Sequence, residues 1–120
     1  MLFVKNSDAT AHPVRYIEGK AVTGTVLIKP LISGDEMALI EVQLGSGVAV
    51  PIHAHAHESV LYVVKGKIKT TVDGRSYILG PGDSCRHPRD VQHFVEGLED
   101  STWVEVKSPA PDFNRLYNSA

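Results

Sequence analysis

The sequence predicts an all-β, antiparallel, single-domain protein. Short apolar runs are broken every few residues by Gly, Pro or Asp, and no helical period is sustained. An Asp73-Gly74 pair sits between two alternating runs, the strongest short-range signal for a hairpin. The length of 120 residues suits one compact domain. A chain of this size buries roughly two thirds of its unfolded surface, enough for a real core.

The elements follow in order. Residues 1–20 carry little pattern and read as an arm or edge strand. Residues 25–28 form a first apolar run. Residues 37–44 alternate, with Ile40, Val42 and Leu44 on one face and Glu41 and Gln43 on the other. Residues 60–64 are apolar on both faces and read as a central strand. Residues 67–72 and 75–79 are the arms of the Asp73-Gly74 hairpin. Residues 102–107 make the last strand. Pro109 and Pro111 then stop the sheet, and residues 112–117 read as one short helical turn.

Composition narrows the function classes. The net charge is −2 and the basic residues are scattered, which argues against nucleic acid or an anionic membrane as a partner. No apolar run approaches the roughly 18 residues of a membrane span. The N-terminal residues show no charged leader followed by a long apolar stretch, so no signal peptide is expected. Cys85 is the only cysteine, which rules out an internal disulfide and fits a reducing cytoplasm.

The chemistry-bearing signal is in the histidines. His53 and His55 are two apart, so on an extended strand both rings point the same way. His93, from a neighbouring strand, would complete a three-nitrogen cap for a transition metal. His57 shares their parity, so it is a candidate either for a further ligand or for a place at the rim or behind the ligands. Cys85 and His87 also share a parity and, with Tyr62, are candidates for the pocket wall. In the last strand Trp103, Glu105 and Lys107 share one face, and Val104 and Val106 share the other. If the Trp103 face is inward, Trp103 lines the pocket and Glu105 is a candidate general acid/base. If the valine face is inward, Glu105 and Lys107 form a solvated pair. The second arrangement is the more ordinary one.

Two segments together resemble the cupin family, of the small RmlC-like kind. The first runs Gly47, His53, His55, Ser59, Gly66; the second runs Gly82, Pro88, Asp90, His93, Gly97. The resemblance implies a double-stranded β-helix, an antiparallel jelly-roll barrel. Its core would span residues 35–113, with residues 1–34 an N-terminal arm and first strands and 114–120 a C-terminal tail. It implies His53, His55 and His93 as ligands of one divalent transition metal (Fe, Mn, Ni or Zn). The family's fourth ligand, usually Glu, falls on Ser59. A water, Glu58 or His57 would have to fill that position, or metal affinity would be low.

Residues 98–113 are similar to small cupins that ketonise unsaturated uronates. The working Asp, Phe and Arg of those enzymes fall on Glu105, Lys107 and Pro111, and only the first is a similar residue. The resemblance therefore implies isomerase, lyase or dioxygenase chemistry on some small polar oxygenated molecule. The alternatives are a non-catalytic ligand- or sugar-sensing cupin and a metal-free structural one. It also implies a homodimer.

Overall fold

The computed structural model describes residues 1–118. Its strands are β1 (His12–Pro13), β2 (Tyr16–Ile17), β3 (Lys20–Ala21), β4 (Val26–Ser33), β5 (Ala38–Leu44), β6 (Glu58–Lys65), β7 (Ile68–Val72), β8 (Arg75–Leu79), β9 (Ser84–His87), β10 (His93–Gly97) and β11 (Ser101–Ser108). One helix, α1 (Phe113–Asn118), follows, and a short 3₁₀ turn at Asn6–Asp8 precedes β1. A six-stranded sheet, in the order β1-β4-β5-β11-β6-β9, faces a three-stranded sheet, β10-β7-β8. All the strand pairs are antiparallel.

The hairpin at Asp73-Gly74 forms as its sequence predicts. Both residues have positive φ (50° and 79°), and Val72 pairs with Arg75 across the turn. Gly66 turns β6 into β7 at φ 88°, where a Cβ would lie 2.3 Å from the Ser101 hydroxyl and 2.4 Å from the Asp100 carbonyl. Only glycine fits that crossing.

The alternation of residues 37–44 places Ala38, Ile40, Val42 and Leu44 inward. Ile40, Val42 and Leu44 join Val26, Ile28, Leu61, Val63, Ile68, Val95 and Trp103 in one core. The run 60–64 is interior in hydrogen bonding, flanked by β11 and β9, but it is covered on one face only. Val60, Tyr62 and Val64 are exposed.

The poorly patterned N-terminal segment is built into the barrel. β1 pairs with β4, and Val14 and Ile17 enter the core. Tail residues Leu116 and Tyr117 also enter it; the Arg15 amide donates to the Tyr117 carbonyl and the Glu18 amide to that of Leu116. The β2–β3 hairpin and α1 thus close one end of the barrel together. The last two positions of the tail 114–120 lie outside the described residues.

Candidate metal centre

The segment 51–59 enters β6 with alternate residues pointing inward, so His53, His55, His57 and Ser59 are all buried. His53 and His93 exchange backbone hydrogen bonds in both directions, at 3.1 and 2.8 Å. This direct pairing sets their rings side by side, with centroids 4.3 Å apart. The His55 ring lies 4.4 Å from that of His53 and 5.1 Å from that of His93. One ligand nitrogen from each of the three falls within 4.8 Å of the others.

The hydrogen bonds of these rings decide which nitrogen is free. His53 Nδ1 donates to the Pro51 carbonyl (2.5 Å) and His93 Nδ1 to the Val91 carbonyl (3.1 Å). His55 Nδ1 donates to the Glu18 carboxylate (2.8 Å). An oxygen acceptor at Nδ1 fixes the proton there and leaves the Nε2 lone pair for a metal. Burial, then the neighbouring imidazole of His93, pulls His53 down to about 3. Burial, with Lys107 next, holds His55 far below the usual range, and burial lowers His93 too. Neutral, oriented imidazoles are the form a divalent ion needs, so the residues present fit the group.

The remaining inward positions build a polar wall. His87 stacks on His93 with centroids 4.2 Å apart, and its Nε2 bonds the Thr70 hydroxyl at 2.9 Å. His57 stacks on His55 at 4.3 Å, behind the three rings. On β11 it is the Trp103, Glu105 and Lys107 face that is buried, while Val104 and Val106 lie on the outer side. The more ordinary arrangement, valines inward and a solvated Glu–Lys pair, is thereby overturned. The pair satisfies itself inside the barrel. Lys107 Nζ lies 2.5 Å from Glu105 Oε2, and Trp103 Nε1 donates to Glu105 Oε1 at 2.9 Å. Burial alone would raise the Glu105 carboxyl, but the Lys107 ammonium holds it at about 2. Glu105 is therefore an ionised carboxylate at neutral pH, with both oxygens engaged.

Three sequence expectations need correction. Tyr62 does not line the pocket; it is half exposed on the outer face, because the inward parity of His53 to Ser59 continues through Leu61 and Val63. Glu58 also points outward and pairs with Arg86 at 3.0 Å, so it does not turn toward the histidines. Cys85 faces a separate open groove beside Arg75, Tyr77 and Leu79. It shares the inward side of β9 with His87, 3.7 Å away, and packs against the core, but it does not line the cavity of the three histidines. Sequence reasoning missed Glu18 and the connecting role of Lys107. Glu18 sits in an unpatterned turn at positive φ, and nothing in the sequence ties it to His55.

The cavity next to the three histidines is small, about 50 Å³, and its floor is apolar, with Val26, Ile28, Val42, Val50 and Val95. His57 borders a larger open cleft of about 460 Å³, together with Glu18, Pro109, Pro111, Asp112 and Arg115.

Comparison with known proteins agrees with this geometry. The family description Cupin domain matches residues 39–106. Quercetin 2,3-dioxygenase of Bacillus subtilis (strain 168) is 36% identical over 81 residues, 66% of this chain. The chain spans only 23% of that enzyme's length. An RmlC-like cupin from Shewanella frigidimarina NCIMB 400 superposes with a TM-score of 0.79 at 25% identity, over 94% of this chain and 95% of the other. The polyketide cyclase RemF from Streptomyces resistomycificus gives a TM-score of 0.75 at 26% identity, over 91% of this chain and 79% of its own.

Proposed function

Because the chain belongs to the cupin family and brings three neutral imidazoles together inside its barrel, we propose that it is a metal-dependent enzyme acting on a small, polar, oxygenated substrate. The observation that carries this reading is the Nδ1 anchoring of His53, His55 and His93, which leaves one nitrogen of each ring free in a shared space. A bound divalent ion would supply Lewis-acid polarisation of a substrate oxygen. The protein supplies the rest. The valine-rich floor excludes water, and the three anchored rings hold their orientation without rearrangement. Glu105 is paired with Lys107 and held by Trp103, so both its oxygens are engaged and it is not the proton donor of the proposed site.

A water occupies about 30 Å³, so the inner cavity admits only the reacting end of a substrate. The body of the substrate would then need space outside it, and the cleft bordered by His57, which stacks on His55, is the neighbouring one. Isomerisation, lysis and dioxygenation all fit such a site. The likeness to a quercetin dioxygenase and a polyketide cyclase supports oxygen-rich, enolisable molecules as the first substrates to try. The decisive experiment loads the protein separately with Fe(II), Mn(II), Ni(II) and Zn(II) and assays flavonols, β-diketones and unsaturated uronates. Turnover that disappears on chelation and returns with one metal is the expected result. Tight ligand binding with no turnover under any ion would favour the second reading, a sensing module, which the small cavity also accommodates.

We also propose a homodimer, with the partner copy on the outer face of the six-stranded sheet. Val60, Tyr62 and Val64 are about half exposed there, and Val104 and Val106 lie directly across from Tyr62 and Val60. Such a stripe on a sheet face marks an association surface. Light scattering should return twice the chain mass, and Tyr62→Lys should halve it. A monomeric mass for the unaltered protein would sink this assignment.

A further inference from the structure

Lys107 is among the most completely buried side chains of the protein, at 2% exposure, and a lysine is rarely found there. It lies on β11 directly across from Ser59 of β6, whose other neighbour in the sheet is His87. Its ammonium lies 2.5 Å from Glu105 Oε2, 3.1 Å from His57 Nε2 and 3.2 Å from Ser59 Oγ, and it hydrogen-bonds the Tyr117 hydroxyl. An ammonium has three hydrogens and no lone pair. Four acceptors share those hydrogens, so none is left for an incoming substrate.

Two of the four acceptors are groups that ligate metals. His57 carries a fourth imidazole, stacked on the ligand candidate His55. Its Nε2 faces an ammonium that can only donate, so the Nε2 lone pair is spent on Lys107. The Glu105 carboxylate lines the same cavity as His53, His55 and His93, with one oxygen held by Lys107 and the other by Trp103.

We propose that Lys107 is a positioning residue that limits the centre to three protein ligands by holding His57 and Glu105 off the metal. This rests on the reading of His53, His55 and His93 as ligands. It accounts for two further ligating groups beside the site, one stacked on His55 and one lining the same cavity, neither of them free. Its consequence is a centre that binds metal less tightly but keeps more coordination positions open for substrate.

The test uses the full chain with ¹⁵N-labelled histidine and Zn(II) as probe. On addition of Zn(II), the Nε2 resonances of His53, His55 and His93 should move to metal-bound values. That of His57 should keep the shift of a nitrogen accepting a hydrogen bond. In Lys107→Met, His57 Nε2 should join the metal-bound set, or the visible spectrum of the Co(II) form should gain the signature of a fourth protein ligand. Affinity should rise about tenfold or more, the scale on which groups behind the ligands tune metal sites. The double variant Lys107→Met/Glu105→Gln removes both charges and covers a failure of the single variant to fold. Binding of His57 to Zn(II) in the unaltered protein would overturn the proposal. So would a folded Lys107→Met, or the double variant, with unchanged affinity and spectra. If no histidine resonance moves at all, the metal reading itself fails and the proposal falls with it.

Discussion

Replacing His53 with Ala is expected to abolish stoichiometric metal binding while leaving the barrel folded. The ring contributes one of three nitrogens, and the two that remain, His55 and His93, have centroids 5.1 Å apart. Loss of groups that merely orient a ligand costs roughly 10- to 100-fold in affinity, so loss of the ligand itself should cost about 100-fold or more. The backbone bonds between positions 53 and 93 do not depend on the side chain, so the strand contact survives. Metal at about 100 times its dissociation constant stabilises a folded protein by about 2.7 kcal/mol. For a domain of this size that is a rise of roughly 10 °C in Tm. His53→Ala should show no such rise on metal addition, and elemental analysis should find it empty. Equal metal content in the variant and the parent would remove the three-histidine centre from the account. The histidine shifts also predict the course of acidification. The folded rings are held below their ordinary range, so the unfolded chain binds more protons as pH falls below about 6.5. The metal-free protein therefore loses stability on acidification, and His53→Ala loses less of it.

How much of this was legible from the chain depends on which constraint was local. The alternation of His53 and His55 is a rigid property of extended backbone, so the shared direction of the two rings could be read directly. The same parity carries on to Ser59, Leu61 and Val63. Followed one step further, it would have placed Tyr62 and Glu58 outside. The Asp73-Gly74 turn needs only two residues to specify it. β9 and β10 are four and five residues long and carry charged and polar positions, so neither stood out as a strand. The direction of β11 was ambiguous for a physical reason. Both faces of the strand offer large side chains, and an apolar pair of valines normally wins the core. Here the polar face wins because Lys107 and Glu105 neutralise each other and find Trp103, His57, Ser59 and Tyr117 as partners. Beyond Trp103 on the same strand, those partners come from the distant segment 57–59 and from α1. No window of the chain contains that information. The same holds for Glu18 and His55, joined across thirty-seven positions.

The buried pair yields the second large effect. Glu105→Gln should destabilise the protein by about 3–5 kcal/mol, because it leaves the Lys107 ammonium buried without a counter-charge. Lys107 is 2% and Glu105 7% exposed, so water cannot take the lost partner's place. Removing both charges in Lys107→Met/Glu105→Gln should recover most of the loss, since a buried pair replaced by groups of similar shape is often close to neutral. Acid separates this effect from simple loss of packing. Glu105 is held at about 2 in the folded protein against an ordinary value of 4.5. A carboxylate lowered on folding contributes stability in full above its unfolded value, and that contribution fades as pH drops from about 4.5 toward 2. Urea unfolding of the parent should therefore weaken through this window by more than that of Glu105→Gln, and the two stabilities should converge near pH 2. Parallel curves would mean that the carboxylate is not held by the ammonium. In that event the inward polar face of β11 would owe its place to Trp103 alone.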